Sequence, residues 1–443
     1  MPAVLVSVSA LLLGAAILLL GNGLLGILLP VRASLEDFAT TSIGLIASGY
    51  SAGFVIGCVV MPHVVQRVGH IRTFAVMAAI AASAVLVMAL AVHPLMWILL
   101  RMVTGFAFAG LYMVIESWLN EKASNTNRGQ VFAGYMVIQL GAITAGQMLL
   151  PLGQPEGFGL FAVAAIAITL ALVPVGLTTS MAPQPLIAVR LRLNRLYAAS
   201  PVGVLGCFFV GLANGAFGGL GAVFATDVGL STTGVALFMS AALVGGALFQ
   251  IPFGRLSDRI DRRRVLILAC LIAVLAGGVL SVSGDARDGG GLLPEALRQA
   301  ALSPYVLIGA VIVFGGCIYS MYSLCVAHTN DFVDREDFLE ASSGLLLTWG
   351  LGSAIGPVLA AFAMERFGLG GLFLFAAVVH LLFMAFTWYR TIQRAPLPAA
   401  DRADFVHADA ARTSPVAAAL DPRAPDQPET PPSETETSES AAA

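Results

Sequence analysis

Long apolar runs separated by short polar stretches fill most of the chain. A helix needs about 20 apolar residues to cross the hydrocarbon core of a membrane, and twelve runs reach that length. The first run is too long for the apolar part of a cleavable signal peptide and has no basic residues before it, so we interpret it as a span. The twelve predicted spans are residues 4–30, 43–65, 71–92, 95–118, 129–151, 158–180, 201–226, 232–254, 264–283, 304–328, 341–364 and 369–390.

Three polar segments are longer than the other connections. Residues 181–200 divide the spans into six and six, residues 284–303 contain three consecutive glycines, and residues 395–443 are rich in Ala, Pro, Ser, Thr and Glu. A segment with so few large apolar side chains is typical of disorder. We therefore predict a bundle over 1–180, a linker over 181–200, a second bundle over 201–394 and a disordered tail over 395–443.

The composition supports an integral membrane protein. Of the 443 residues, 58% are hydrophobic and 11% are charged, whereas soluble domains have about 45–50% and about 25%. These values exclude an ordinary soluble enzyme, a nucleic-acid binder and a disordered scaffold. The five cysteines lie inside apolar runs without metal-ligand spacing, so we expect buried, inert thiols, no metal and no cofactor.

Arginine and lysine are distributed unevenly between the two sets of connections. Even-numbered connections, with the segment after the last span, hold 15 of them, and odd-numbered connections hold four. Positive charge accumulates in cytoplasmic loops. We therefore expect both termini on the cytoplasmic side of a bacterial inner membrane.

The two halves of the chain repeat each other. Single matches among small residues arise by chance, but several matches in one register do not. The offset between matching residues of the two halves changes from 192 to 210 residues along the chain. This change fits an insertion in the 284–303 segment. Parallel six-helix repeats are the layout of transporters whose site lies between the halves. With a shift of 192, Asn22, Gly53 and Arg67 match Asn214, Gly245 and Arg259; with a shift of 210, Gly105, Tyr112 and Gly146 match Gly315, Tyr322 and Gly356.

Two loops carry a recognisable motif. The segment from Gly254 to Arg264 reads GRLSDRIDRRR and closely resembles the GxxxDRxGRR signature of the major facilitator superfamily, and Pro62 to Arg72 is a degraded copy. Shorter stretches, such as Glu116 to Glu121, look like the bacterial YcaD-type subfamily. The resemblance covers residues 1–394. It implies an all-α integral membrane fold, with twelve transmembrane helices in two pseudo-symmetric six-helix bundles, and secondary transport of an unnamed substrate.

The resemblance also implies a cytoplasmic gate. The carboxylate of Asp258 would accept hydrogen bonds from N–H groups at the start of span 5, and Gln66 would take the matching place below span 11. The basic residues would hold acidic partners; alternatively, they only satisfy the positive-inside rule. The predicted gate residues are Gln66, Arg67, Arg72, Glu121, Asp258, Arg259, Arg262 and Asp331.

Span 4 carries two charged residues on one helical face. Arg101, Gly105, Tyr112 and Glu116 follow helical spacing, and charges inside membrane helices usually face a cavity or a partner. Arg101 with Gly105 resembles the span-4 RxxxG element of the superfamily, which is sometimes assigned to proton coupling. Alternatively, Arg101 extends to the outer interface and Glu116 neutralises loop arginines.

The repeat singles out Glu116. Its counterpart in span 10 is Val326, whereas the acids Glu121 and Asp331 match each other. A structural role shared by the two halves explains why Glu121 and Asp331 match. Glu116 has no acidic counterpart, so a shared structural role does not explain it. Proton coupling is therefore predicted for Glu116 and Arg101.

Mid-span polar residues predict a substrate cavity. Asn22 and Asn214 are related by the repeat and lie near the middle of their spans. Alternatively, such residues only form hydrogen bonds between helices. The predicted cavity residues are Asn22, Tyr50, Arg101, Tyr112, Gln139, Asn214, Tyr322 and Trp349.

These observations predict a monomeric secondary active transporter in the lipid bilayer, moving a small polar or amphiphilic solute by alternating access coupled to protons. No catalytic constellation supports an enzyme, and no nucleic-acid partner is expected. The alternatives are a membrane sensor or scaffold with a transporter-like fold and, within transport, a drug efflux pump instead of a metabolite carrier.

Overall fold

The computed structural model describes residues 8–177, 192–287, 294–398, 402, 405–408 and 413–424. Twelve helices in these ranges are long and apolar enough to cross a membrane, which confirms the predicted fold class and number of spans. The main helices of these spans are α1 Ser9–Leu35, α2 Thr40–Val68, α3 His70–Leu90, α4 Pro94–Lys122, α5 Arg128–Gln147, α6 Gly159–Leu170, α7 Pro201–Asp227, α8 Thr232–Arg259, α9 Arg262–Arg287, α10 Pro304–Asn330, α11 Phe338–Phe367 and α12 Gly371–Gln393. The fifth span continues to Leu152 and the sixth to Gly176.

Short helices complete the described structure. The sixth span consists of α6 and Leu172–Gly176, with a break at Ala171. Pro174 explains the break, because it has no N–H to donate to the carbonyl group of Leu170. The remaining short helices are Leu150–Leu152, Leu193–Ala199, Glu295–Ala301, Arg335–Asp337 and Pro415–Leu420.

The same pairs of helices pack together in each half. In the first half α1 packs on α5 and α2 on α4; in the second half α7 packs on α11 and α8 on α10. A Cβ on Gly105 would collide with the carbonyl of Tyr50, and a Cβ on Gly315 with the carbonyl of Ala242. Tyr50 and Ala242 differ by 192 positions and the two glycines by 210. The repeat found in the sequence is therefore a repeat of backbone contacts.

The two bundles meet at one end. We call this the odd-loop end, because it carries the odd-numbered connections between the twelve helices, and the opposite end the even-loop end. Ser34, at the end of α1, donates to Asp227 at the end of α7 (2.9 Å). The backbone N–H of Thr41 in α2 donates to Glu365 in α11 (2.9 Å). These polar contacts join the bundles at the odd-loop end.

Part of the segment after α12 packs against both bundles at the even-loop end. Residues 405–408 contact α8 and α10, and the short helix Pro415–Leu420 contacts α4, α5 and α11. Leu420 is fully buried. For these residues the structure differs from the expected disorder, because Ala417 and Leu420 find apolar surface between the bundles that the tail alone does not provide. We call residues 405–408 and 413–424 the tail segment.

Candidate functional site

A central cavity lies between the two bundles and encloses about 1070 Å³ of empty space, including its opening. Both halves of the repeat line it, and the repeat mates Asn22 and Asn214 both face it. Five of the eight predicted cavity residues contribute to its wall. They are Asn22, Tyr50, Arg101, Asn214 and Trp349.

The other three predicted residues have different places. Tyr112 is fully buried, and its hydroxyl accepts a hydrogen bond from Asn22 Nδ2 (2.8 Å), so it supports a wall residue. Gln139 is buried beside Tyr135. Tyr322 lines two neighbouring cavities towards the tail segment and meets Trp349 edge to face at 6.4 Å.

Arg101 faces the central cavity. Its guanidinium lies over the ring of Tyr50, with Cζ 4.1 Å from the ring centroid. Its Nη1 atom is buried and has no hydrogen-bond partner among the described residues. Arg101 is the only charged residue in the described cavity wall. The position favours a role in the cavity over the alternative of extension to the outer interface.

Two serines missed by the sequence reasoning also line the cavity. The hydroxyls of Ser51 in α2 and Ser353 in α11 are 3.0 Å apart and join the bundles. Closer to the odd-loop end, Ser240 donates to Gln147 Oε1 (2.8 Å), joining α8 to α5. Small hydroxyl residues are common in membrane helices for other reasons, so no sequence signal marked these serines.

Glu116 is fully buried near the even-loop end of α4. Its Oε1 atom accepts a hydrogen bond from the hydroxyl of Tyr135 (3.1 Å). Its Oε2 atom accepts from the backbone N–H of Ser414 (2.9 Å) and from the Ser414 hydroxyl (2.5 Å). Among the described residues no basic side chain pairs with Glu116, and Arg67 and Arg72 are exposed. The alternative that Glu116 neutralises these loop arginines does not match this geometry.

The tail segment is held by residues of both bundles. On the first bundle, Arg128 Nη2 donates to the carbonyl groups of Pro422 (3.1 Å) and Ala424 (2.6 Å). On the second bundle, Ser323 Oγ donates to the carbonyl of Ala408 (2.8 Å). The tail segment thus contacts both bundles at the even-loop end.

Asp258 also contacts the tail segment. Its carboxylate accepts the backbone N–H of Phe405 (3.1 Å) and lies 3.4 Å from Arg262 Nη1. Pro422 lies next to Gly129, at the start of α5. In this conformation, tail residues occupy the positions next to both members of the expected latch. The latch itself stays a prediction for a conformation in which the even-loop end is closed.

A buried ion pair joins α9 to α10. Arg262 Nε donates to Asp331 Oδ2 at 2.8 Å, with side-chain exposures of 1% and 3%. Arg262 Nη1 also donates to Ser257 (3.1 Å). The remaining predicted gate residues are exposed at the even-loop end. They are Gln66, Arg67, Arg72, Glu121 and Arg259.

The family model described as Major Facilitator Superfamily matches residues 11–198 and 203–424. The chain belongs to the major facilitator superfamily. This confirms the resemblance found in the two loop motifs.

Relatives and solved structures agree with this membership. The chain is 25% identical over 383 residues to the uncharacterized MFS-type transporter YcaD of Escherichia coli O17:K52:H18, covering 85% of this chain and 94% of that one, and equally similar to YcaD of Shigella flexneri. The crystal structure of the nucleoside transporter NupG superposes with a TM-score of 0.70 at 13% identity, over 86% of this chain and 98% of that one. A bacterial homolog of the human lysosomal transporter Spinster, in an inward-facing and occupied conformation, gives 0.69 at 15% identity, over 90% and 98%.

Membership in the superfamily supports membrane transport by a multi-pass protein of a bacterial family. Superfamily members bind small-molecule substrates and lie in the lipid bilayer, and they are not enzymes. The central cavity lies between the two bundles, and polar side chains of both halves line it.

The signature loop of the superfamily also organises the end of α12. Asp261, between α8 and α9, accepts hydrogen bonds from the backbone and guanidinium of Arg263, the shortest being 2.7 Å. Arg263 Nη1 donates in turn to the carbonyl groups of Arg390 (3.1 Å) and Arg394 (2.8 Å). Burial of Asp261 opposes its ionisation, but the hydrogen bonds and charge of Arg263 outweigh burial and lower the pKa of Asp261 below its ordinary value of 3.8.

Proposed function

We propose that the chain is a secondary active transporter that moves a small polar or amphiphilic solute by alternating access, coupled to protons. The observation that carries this proposal is the central cavity, whose wall takes Asn22 from one repeat and Asn214 from the other. A site shared by two pseudo-equivalent bundles changes its access when the bundles rock against each other.

The contacts that close the odd-loop end are suited to repeated opening. Ser34 with Asp227, Ser51 with Ser353, and Ser240 with Gln147 are single hydrogen bonds between polar groups. Each such bond contributes only about 0.5–1.5 kcal/mol net, because water replaces the lost partner when the contact opens. A few of them hold one conformation without making it permanent.

Proton coupling is assigned to Glu116, together with Arg101, the other charged residue of the predicted span 95–118. A carboxylate inside a membrane span is costly unless polar groups compensate it. Here three neutral donors from Tyr135 and Ser414 provide that compensation. Loss of the two Ser414 donors would change the hydration of Glu116 and favour a change of protonation. An arginine side chain keeps its proton in proteins. Arg101 would therefore take part in coupling by contacting the solute in the cavity, and not by releasing a proton.

The remaining features follow from the charge distribution. The even-loop end carries 15 of the basic residues counted in the loops, so we place it, with both termini, in the cytoplasm of a bacterial cell, in the inner membrane. The conformation described here is then closed to the outside. We expect the working unit to be one chain, since a single chain supplies both bundles.

The test begins with thermal unfolding of the purified full-length chain against a library of small polar metabolites and amphiphilic drugs. A solute that stabilises the protein is then offered to proteoliposomes under an imposed pH gradient. We expect accumulation that depends on the gradient. Binding without any uptake would contradict transport and favour the sensor or scaffold.

A cross-link tests alternating access directly. Ser51→Cys with Ser353→Cys places two thiols where the hydroxyls are 3.0 Å apart. Oxidation should stop uptake, and reduction should restore it, because the disulfide holds the bundles together. Each single cysteine variant is the control. Full uptake by the oxidised, cross-linked protein would contradict rocking of the bundles.

A further inference from the structure

We propose that the central cavity binds a small organic anion: a carboxylate attached to a flat, apolar group that also carries a hydrogen-bond donor. This proposal rests on the proposed function and names the class of solute that the same cavity takes.

The charge of the wall selects against cations. Arg101 is the only charged residue among the described residues that line the cavity, and neither aspartate nor glutamate is among them. Glu116 lies in a different place, bound by Tyr135 and Ser414. A cationic solute would therefore meet one positive charge and no compensating carboxylate, whereas an anion would meet a guanidinium.

The guanidinium lacks a partner that an anion would supply. Arg101 Nη1 is buried and has no hydrogen-bond partner among the described residues. A buried charged donor without an acceptor is costly, and a carboxylate is the partner whose geometry matches a guanidinium best. The stacking of Arg101 on Tyr50, at 4.1 Å, holds the guanidinium in place while leaving Nη1 for a ligand.

Two further unpartnered atoms describe the rest of the ligand. Trp349 Nε1 is a buried donor and Asn214 Oδ1 is a buried acceptor, and neither has a hydrogen-bond partner in the described parts of the chain. Both residues line the cavity. A ligand that satisfies them offers an acceptor to Trp349 and a donor to Asn214, in addition to the group that meets Arg101.

The surface between these atoms is aromatic. The rings of Tyr50, Phe54 and Trp349 all contribute to the cavity wall. Flat unsaturated groups pack well on such rings, and aromatic pairs add stabilisation beyond the area they bury. The wall thus combines one positive charge, one free acceptor and an aromatic surface, which together fit a hydroxylated aromatic acid better than a sugar.

Three probes that differ only in one group test the proposal. They are 4-hydroxyphenylacetate, its neutral amide 4-hydroxyphenylacetamide and the cation tyramine, which share the ring and the hydroxyl. Binding to the purified full-length chain is measured by titration calorimetry at neutral pH. We expect the anion to bind at least about tenfold more tightly than the amide, because the charge-assisted contact with Arg101 is lost in the amide, and we expect tyramine to bind more weakly still.

Variants of Arg101 separate its charge from the rest of the cavity. Arg101→Gln should remove the preference for the anion over the amide. Arg101→Lys should still bind the anion more tightly than the amide, because lysine retains the positive charge. Lys122→Gln removes a basic residue that is exposed at the end of α4, outside the cavity, and should change nothing. Thermal unfolding of each variant shows that the fold is kept, and Arg101→Lys remains informative if Arg101→Gln does not fold.

Three results would overturn the proposal: equal binding of the amide or tyramine, an unchanged preference in Arg101→Gln, or no binding of the anion at millimolar concentration. These measurements report binding and not transport. A failure of anion selectivity therefore leaves the proposed transporter standing. Conversely, a protein that binds the anion but moves no solute in proteoliposomes contradicts the proposed function alone.

Discussion

The hydroxyl of Ser414 donates a 2.5 Å hydrogen bond to Oε2 of Glu116, although the two residues are 298 positions apart in the chain. Glu116 belongs to α4 of the first bundle, and Ser414 belongs to the tail segment. The contact places part of the chain that follows α12 directly on the best candidate for proton coupling. We therefore expect access to the cavity from the even-loop end and the state of Glu116 to depend on the same segment.

The first prediction concerns access to the cavity. Leu420 is fully buried in the tail segment, so Leu420→Asp should displace this segment, because a buried carboxylate without a partner is strongly unfavourable. A reporter cysteine at Gly218 lines the cavity and has open space for its side chain. Labelling of Gly218→Cys by a maleimide in the purified chain should become at least about tenfold faster in Leu420→Asp, since burial of a leucine holds the segment in place.

Leu420→Met is the matched control for this measurement, because it keeps an apolar side chain of similar volume. The five native cysteines are buried, and labelling of the chain without Gly218→Cys gives the background. Equal labelling rates in Leu420→Asp and Leu420→Met, with equal folding, would show that the tail segment does not limit access.

The second prediction concerns coupling. Glu116→Gln removes the titratable group and keeps a side chain of similar size, with one acceptor oxygen for either Tyr135 or Ser414. We expect the variant to lose accumulation driven by a pH gradient and to keep exchange of solute at equal pH, measured in proteoliposomes. Glu156→Gln, at an exposed acid between α5 and α6, should keep both activities. Continued accumulation in Glu116→Gln would contradict the coupling role.

The sequence predicted the features that depend on periodicity and composition. Twelve spans follow from the length of apolar runs, and the repeat register found with Gly105 and Gly315 is the register of the helix contacts. Asn22 and Asn214 face the cavity because the repeat places them at equivalent positions between the bundles.

Other features depend on packing that no local pattern records. Tyr112 shares a helical face with Arg101, yet its side chain is buried between helices instead of facing the cavity. Its hydroxyl accepts a hydrogen bond from Asn22. The partners of Glu116 are less predictable still. Ser414 lies in a segment without hydrophobic periodicity, and the short helix that follows it packs on helices of both bundles.

The third prediction uses the repeated close contacts. Gly105→Ala and Gly315→Ala each place a Cβ against a backbone carbonyl of the neighbouring helix, that of Tyr50 or Ala242. Such overpacking typically costs about 1–3 kcal/mol, so both variants should unfold at lower temperature in detergent. Gly141→Ala is the control, since nothing lies within 4 Å of a Cβ there. Equal unfolding temperatures for the three variants would contradict the close approach.

The fourth prediction compares two acids at matching positions of the repeat. Asp331 is buried against Arg262, whereas Glu121 is exposed. Removing one member of a buried ion pair costs about 3–5 kcal/mol, because the remaining charge loses its nearest counter-charge. Asp331→Ala should therefore lower the unfolding temperature far more than Glu121→Ala, for which a change within about 0.5 kcal/mol is expected. Similar effects of the two substitutions would show that the Arg262 pair contributes nothing.

The last prediction concerns the thermal stability of the protein at acidic pH. Burial works against ionisation of Asp261, but Arg263 lowers its pKa below the ordinary value of 3.8 in the folded protein. A carboxylate with a lowered pKa in the folded state contributes stability above its unfolded pKa, and loses it as the pH falls through the folded pKa. Asp261→Asn should therefore unfold at a lower temperature than the wild type near pH 7, and the difference should shrink as the pH falls below about 4. Because Arg263 causes the shift and also holds the carbonyl groups of Arg390 and Arg394, the same substitution made in an Arg263→Gln background should show no such pH dependence. A pH-dependent difference that persists without Arg263 would assign the effect to another group.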